Sequence, residues 1–256
     1  ERGRITGVVT TEGVEIRAKC VVLASGGYGA NPNLLKRWAP AWAELPTDNA
    51  PGSTGDGQLA AERAGAALVN LEVVQAVPGV RRGQTHAVRL DLDVGACVLV
   101  DGRGERFVEE DGSRRALALA IRNAVGGRAY TVTDDRGVSS YDLVSQKDIY
   151  RGLQTGDAFR AETLEALGRK AGIPAGALRR TVEAFNGEAE KKFGKCGRVV
   201  CRKIETPPFW AAPVYLNLHS TLGGVRITSE GEVLDREEKV LPGLYAAGEI
   251  VGNVHG

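Results

Sequence analysis

The sequence predicts an α/β domain interrupted by an inserted α+β domain, and three observations carry that expectation. Apolar runs that end abruptly in glycine lie near both ends of the 256-residue chain, in "VVLASGGYG" (21–29) and "GLYAAGE" (243–249). The centre instead carries two amphipathic helical segments, "ETLEALGRKA" (162–171) and "ALRRTVEAFN" (177–186), joined by "GIPAG". After Pro207-Pro208 the text becomes strand-like again. The chain is therefore expected to leave its first domain near Gln75 and to return near Pro207. Pattern alone leaves a second option open, a single irregular α+β domain.

In chain order, "RITGVVT" (4–10) reads as a strand and Glu12-Gly13 as a turn. Residues 14–24, "VEIRAKCVVLA", read as one further strand; its later half loses alternation and is expected to be buried on both faces. Asn31-Pro32 opens a short helix through Trp38. The turn-rich "DNAPGSTGDG" (48–57) leads into a helix that Thr54 or Asp56 would cap and Gly65 would end. "GACVLV" (95–100) reads as a strand, and Asp101-Gly102 as the turn into "GERFVEE". The two central helices follow, and the tail holds strands in "PVYLNLHSTLGGVRIT", "GEVLD" and "GLYAAGE".

Thirty-three basic residues against 32 acidic ones leave a net charge of +1. That balance gives no footprint for nucleic acid, and no apolar run approaches a bilayer span. The chain has no methionine, so it is expected to be a piece of a longer protein. Cys20 and Cys97 sit in apolar stretches and read as buried small hydrophobes. Cys196 and Cys201 are close enough in sequence for a disulfide to be an option. No CxxC or Cys/His cluster points to zinc or covalent haem.

Four segments carry candidate chemistry. "ASGGYGAN" holds Ser25, Gly26 and Gly27 at a strand end, where backbone N–H groups can approach a ligand without a Cβ in the way. The alternative is a plain strand-to-helix turn. "GSTGDG" offers Thr54, Gly55 and Asp56 at a helix start, with an ordinary cap as the competing account. "LHSTLGG" (218–224) brings His219 and two hydroxyls; a lone histidine is more often structural than functional. "GLYAAGE" places Gly248 and Glu249 at a strand's carboxyl edge. Neither glycine cluster is a GxGxxG with an acidic residue about twenty positions on.

Taken together, "ASGGYGAN", "NAPGSTGDGQLAAERAGAAL", "GERF", "LHSTLGG" and "VLPGLYAAGEIVGNVHG", in this order and spacing, resemble the fumarate reductase and succinate dehydrogenase flavoprotein family, nearest its soluble flavocytochrome c branch. The resemblance implies a Rossmann-like FAD-binding domain at 1–74 and 207–256, split by a capping domain at 75–206. It implies that Ser25, Gly26, Gly27, Thr54, Gly55, Asp56, Gly248 and Glu249 line FAD, with Glu249 bonded to the flavin's sugar-like side chain. His219 matches a histidine that grips a substrate carboxylate. Arg106 of "GERF" matches an arginine that delivers a proton while the flavin delivers hydride to the neighbouring carbon of an activated C=C bond. Without the resemblance, Arg106 would read as a surface ion pair. The implied partners are a small-molecule substrate, a carboxylate among the candidates, and an electron donor whose haem or FMN would lie on other segments. The chain is expected to be soluble, with the compartment, cytoplasmic or periplasmic, left open by the sequence.

This sequence also departs from the family. Dicarboxylate members usually write Gln-Thr-His-Pro where this chain has Gln75-Ala76-Val77-Pro78, so a second carboxylate-binding histidine is a valine. "QTHAVRLDLDVGAC" matches the acid-relay region only in "AVR", and His86 stands where glutamate is common. Related branches act on ketosteroids, tricarballylate or urocanate, so a bulkier substrate is one alternative and a non-catalytic binding module is another. The family's pyrophosphate-binding GxGxxG is expected upstream of Glu1, and an arginine that follows the terminal His-Gly is expected downstream. The piece alone is expected to bind FAD weakly or not at all and to be inactive.

Overall fold

A computed structural model describes residues 3–189, 202–252 and 254. Its elements run β1 (Gly7–Val9), β2 (Glu15–Arg17), β3 (Val21–Leu23), α1 (Pro32–Trp38), α2 (Asp56–Arg63), β4 (Leu68–Val69), β5 (Val74–Pro78) and β6 (Cys97–Asp101). They continue through α3 (Arg114–Arg122), β7 (Ala129–Asp134), α4 (Asp135–Ser139), α5 (Leu143–Thr155), β8 (Phe159–Ala161), α6 (Leu164–Ala171), α7 (Ala175–Ala189) and β9 (Phe209–Pro213). The chain closes with β10 (Leu216–Thr221), β11 (Gly224–Val225), β12 (Glu232–Leu234) and β13 (Val240–Ala246). Two compact units divide it: Glu1–Ala76 with Leu218–Gly256, and Val77–Asn217. Among the described residues no helix is long and apolar enough to cross a membrane.

In the first unit β13 is central. It runs parallel to β3, with Leu244 opposite Val21 and Ala246 opposite Leu23, and antiparallel to β12. Parallel pairing of segments so far apart in sequence sets two carboxyl ends side by side. Leu244, Ala246, Val225, Val233 and Ile250 form one core with Ala61 of α2. Tyr28, Leu34, Leu35 and Leu218 form another, where Trp38 meets Tyr28 edge-on at 4.8 Å.

The second unit is built on a four-stranded antiparallel sheet in the order β6-β7-β9-β8. Val98, Val100, Val132 and Ala211 on one face pack against Leu167, Leu178, Val182 and Phe185 of α6 and α7. Trp210 and Ala212 on the other face meet Leu90, Val138 and Ile149. With both faces covered, every residue of β6 and β7 is buried.

Several expectations hold in detail. The α1 boundaries are those read from Asn31-Pro32 and Trp38, and Asn31 Oδ1 accepts from the Asn33 and Leu34 N–H groups. The Asp101-Gly102 turn follows β6, α6 and α7 lie on the two amphipathic segments, and Gly65 follows α2 at φ +99°. Others do not hold. Residues 14–24 are two strands, broken between Arg17 and Val21, and Val22 is 61% exposed. In this sheet β3 has one neighbour, β13, and Val21 and Leu23 turn toward the core while Val22 turns away. Cys20 lies in that break and is exposed, whereas Cys97 on β6 is fully buried. Neither Thr54 nor Asp56 caps α2. Its cap is Gly55 in the left-handed region at φ +79°, and a side chain there would strike Leu34 and Tyr28. The centre is as much sheet as helix; β7, β8 and β9 carry no alternation because they are covered on both sides or short. Residues 207–217 group with the second unit, since β9 is an inner strand of its sheet. The Cys196–Cys201 option lies outside the described residues.

Candidate functional site

The parallel register of β3 and β13 brings the two glycine openings together. Ala247 N–H donates to Leu23 O at 2.9 Å, so "ASGGYG" and "AAGE" leave neighbouring strand ends. Gly26 and Gly248 adopt φ of +77° and +78°, and a Cβ on either would point into open space. Left-handed glycines there leave bare backbone facing outward, which is what close approach of a flat ligand requires.

Behind that edge lies a dense polar node. Glu249 Oε1 accepts from Ser220 Oγ (2.9 Å), Thr221 N (2.8 Å) and Thr221 Oγ1 (3.2 Å). Thr221 Oγ1 in turn accepts from the Tyr28 N–H at 3.3 Å. Gly27 sits against this node so tightly that a Cβ would come 2.0 Å from Thr221 Oγ1 and 2.5 Å from Glu249 Oε1. The Tyr28 hydroxyl donates to Leu71 O. Burial, with the Glu72 and Glu249 charges, pushes that phenol well above its ordinary pKa, so it stays a neutral donor.

The α2 start joins the same edge. Gly55 N–H donates to Gly27 O at 3.2 Å, and Gln58 Nε2 donates to Gly26 O at 3.0 Å. Gln58 is fully buried, and its Oε1 has no partner among the described residues. Gly57 is close-packed on Ser25, where a Cβ would lie 2.0 Å from Oγ. Thr54 Oγ1 donates to Asp56 Oδ2 at 2.8 Å, which leaves Asp56 exposed in the first turn of α2. Ser25, Gly26, Gly27, Thr54, Gly55, Asp56, Gly248 and Glu249 thus all fall within one linked arrangement of the first unit.

His219, on β10 in the same unit, faces Asp48, with Nδ1 2.9 Å from Asp48 Oδ2. Arg106 belongs to the second unit. Asp101 Oδ1 accepts from Arg103 N and Glu105 N, and this turn sets Arg106 beside Val100 of β6. Glu110, nearly buried, takes the guanidinium with both oxygens and anchors itself on Leu99 N–H at 2.9 Å. Glu188 binds Nη1 at 3.1 Å, and the Phe185 ring lies 5.5 Å from the guanidinium carbon. Burial alone would lower the Arg106 pKa, but the hydrogen bond and charge of Glu110, then Glu188 and Glu109, raise it above the ordinary value. Arg106 is therefore a partly buried cation held by two carboxylates and packed on one ring, not a loose surface ion pair.

Gln58, Asp48 and Glu110 escaped the sequence reading. Glu110 alone had a local signal, its i+4 spacing from Arg106 in "RFVEE". Gln58 and Asp48 find their partners 32 and 171 residues away.

The chain is 34% identical over its whole length to an NADH:acrylate oxidoreductase of Vibrio harveyi, of which it spans 26%. Its fold matches a flavocytochrome c3 fumarate reductase in an open conformation, with a TM-score of 0.65 and 29% identity over 99% of this chain and 47% of that one. It also matches a 3-ketosteroid-delta4-(5alpha)-dehydrogenase of Rhodococcus jostii RHA1, with a TM-score of 0.70 and 26% identity over 98% of this chain and 51% of that one. The chain thus spans between a quarter and about half of these relatives. The family described as FAD binding domain matches residues 1–256, and the chain belongs to that family.

Proposed function

We propose that this chain is part of an FAD-dependent oxidoreductase that reduces an activated C=C bond, of the fumarate or acrylate reductase kind. One observation carries the reading: two left-handed glycines at adjacent parallel strand ends, Gly26 and Gly248, stand over a node that fixes Glu249. The open space at both glycines and the unpartnered Oε1 of Gln58 fit a large polar cofactor. The first unit is read as the FAD domain and the second as the capping domain. Ser25, Gly26, Gly27, Thr54, Gly55, Asp56, Gly248 and Glu249 would hold the cofactor, which when bound supplies hydride chemistry.

The remaining work falls to this chain's own side chains. Gly27 keeps the strand end close enough for Thr221 and Glu249 to hold the cofactor edge. His219 anchors a carboxylate or carbonyl oxygen of the substrate. Arg106 would supply the proton, and Glu110 keeps its guanidinium oriented and would restore the lost proton by taking one up from solvent and passing it on. A guanidinium whose pKa is raised gives up a proton only to a strongly basic developing carbanion, so a restoring neighbour is essential.

The test uses the full-length protein. It should purify with visible flavin absorbance and oxidise a reduced dye with fumarate, acrylate or urocanate as acceptor. A colourless preparation that takes up no added FAD would end the reading and leave a binding module in its place. Arg106→Ala should lower kcat by about 100-fold or more, the range for loss of acid catalysis; full turnover would remove Arg106 from the chemistry. A second reading, a ketosteroid-type dehydrogenase, draws on Val77 at the usual histidine position and on the Rhodococcus jostii similarity. Turnover of a 3-ketosteroid, with none on small unsaturated acids, would select it.

A further inference from the structure

We propose that Asp48 is a positioning residue that decides which imidazole nitrogen His219 offers to the substrate. The proposal rests on the reading of His219 as the substrate anchor.

The pair is built, not incidental. Residues 46–49 are stitched along β10 by Leu218 N–H to Pro46 O (2.8 Å), Asp48 N–H to Leu218 O (3.3 Å) and Thr47 Oγ1 to Leu218 O (3.1 Å). Asn49 Nδ2 adds bonds to Leu218 O (3.0 Å) and His219 O (3.1 Å). A parallel bridge between Thr47 and Leu218 fixes the register. This lacing fixes the backbone on both sides of the Asp48–His219 contact, so the carboxylate reaches Nδ1 at 2.9 Å from a rigid base. Both side chains are substantially exposed, at 37% and 48%, and an ion pair so wet adds little to folding. What the contact does supply is direction.

A carboxylate has only acceptors, so the nitrogen facing it must carry the hydrogen. Nδ1 is therefore the protonated nitrogen in the neutral ring and one of two in the imidazolium. Nε2 becomes the nitrogen turned to a ligand; in the imidazolium it carries the N–H that donates to a substrate oxygen, and the ring plane is fixed by the bond at its other side. Free of Asp48, the ring would rotate and its imidazolium would lose a counter-charge, and each encounter with substrate would have to select the arrangement with Nε2–H on the substrate oxygen. The cost of that selection falls on binding and not on the chemical step, which His219 does not perform.

The test combines a spectroscopic and a kinetic readout on the full-length protein. Imidazole nitrogen-15 spectra, with the His219 signal assigned by its loss in His219→Ala, should show the hydrogen on Nδ1 in the neutral form. Asp48→Ala should shift that signal toward the Nε2–H tautomer. The same variant should raise KM for fumarate or acrylate about tenfold with kcat changed less than about twofold, the pattern of lost binding common to ground and transition states. A neutral Nε2–H tautomer in the unsubstituted protein overturns the proposal, and this holds even if Asp48→Ala fails to fold. An unshifted tautomer in Asp48→Ala overturns it too, as does an unchanged KM where His219→Ala raises KM. If His219→Ala leaves KM unchanged, the anchor reading falls with it, and the spectra alone then decide what Asp48 does to the ring.

Discussion

A Cβ on Gly27 would lie 2.0 Å from Thr221 Oγ1, closer than any real contact allows, and Thr221 is itself tied to Glu249. Gly27→Ala should therefore cost about 1–3 kcal/mol, the usual range for overpacking, and should lower the flavin content of the full-length protein. Thermal melts and flavin-to-protein absorbance ratios measure the two effects. The two cysteines with described surroundings make a sharper contrast. Cys97 is fully buried, and burial, then the charges of Glu110, Asp91 and Asp93, raise its thiol pKa. Cys20 is exposed. Thiolate is the reactive form, so iodoacetamide at pH 8 should label Cys20 in the native protein and Cys97 only after denaturation. Peptide mapping decides it; native labelling of Cys97 would mean that β6 opens readily. Residue types in the sequence singled out Gly27 and Glu249, which the fold sets against each other. They misplaced Cys20, because an apolar neighbourhood in sequence says nothing about whether the strand's outer face is covered.

Elements whose ends are written in local chemistry were legible. Asn31 accepts two backbone N–H bonds at the start of α1 and donates Nδ2 to Thr54 O at 2.8 Å. One side chain therefore caps a helix and pins the glycine-rich loop. Asn31→Ala should cost about 1 kcal/mol from the lost cap and more from the freed loop, measured as a shift in the denaturant midpoint at constant m-value. Asn31→Asp keeps the cap acceptor but loses the bond to Thr54, so the difference between the two variants isolates the loop. In contrast, β7 and β9 gave no signal. Thr131 and Thr133 are buried polar residues within β7, and Thr133 Oγ1 is satisfied by Ala96 O at 2.6 Å. A strand covered on both faces, with hydroxyls paired across the sheet, has no period-2 alternation to read.

At the scale of the molecule, each unit has its own core, so damage to one is local. Leu178 is fully buried between α7 and the β6-β7 face. Leu178→Ala should cost about 2–5 kcal/mol, seen as an earlier melting transition. Alkali should act on both units. Cys97 and Tyr141 in the second unit and Tyr28 in the first all have pKa values raised by burial above anything else. Their protonated forms favour the native state. The stability they contribute is complete below the unfolded-state values, about 8.5 for cysteine and about 10 for tyrosine, and declines as pH rises past them. Melting temperature should fall from pH 8 to 10.5; a flat profile would mean that these groups ionise in place. The family resemblance could be read from motifs in order along the chain, and the glycine openings, the capped helix α1 and the helices α6 and α7 from neighbours within a few residues. That Gly27, Thr221 and Glu249 form one node, that Asp48 meets His219, and that Glu188 joins Glu110 on Arg106 follows from the folded chain alone. Those partners come together through strand register and packing across tens to more than two hundred residues, and no local propensity encodes that distance.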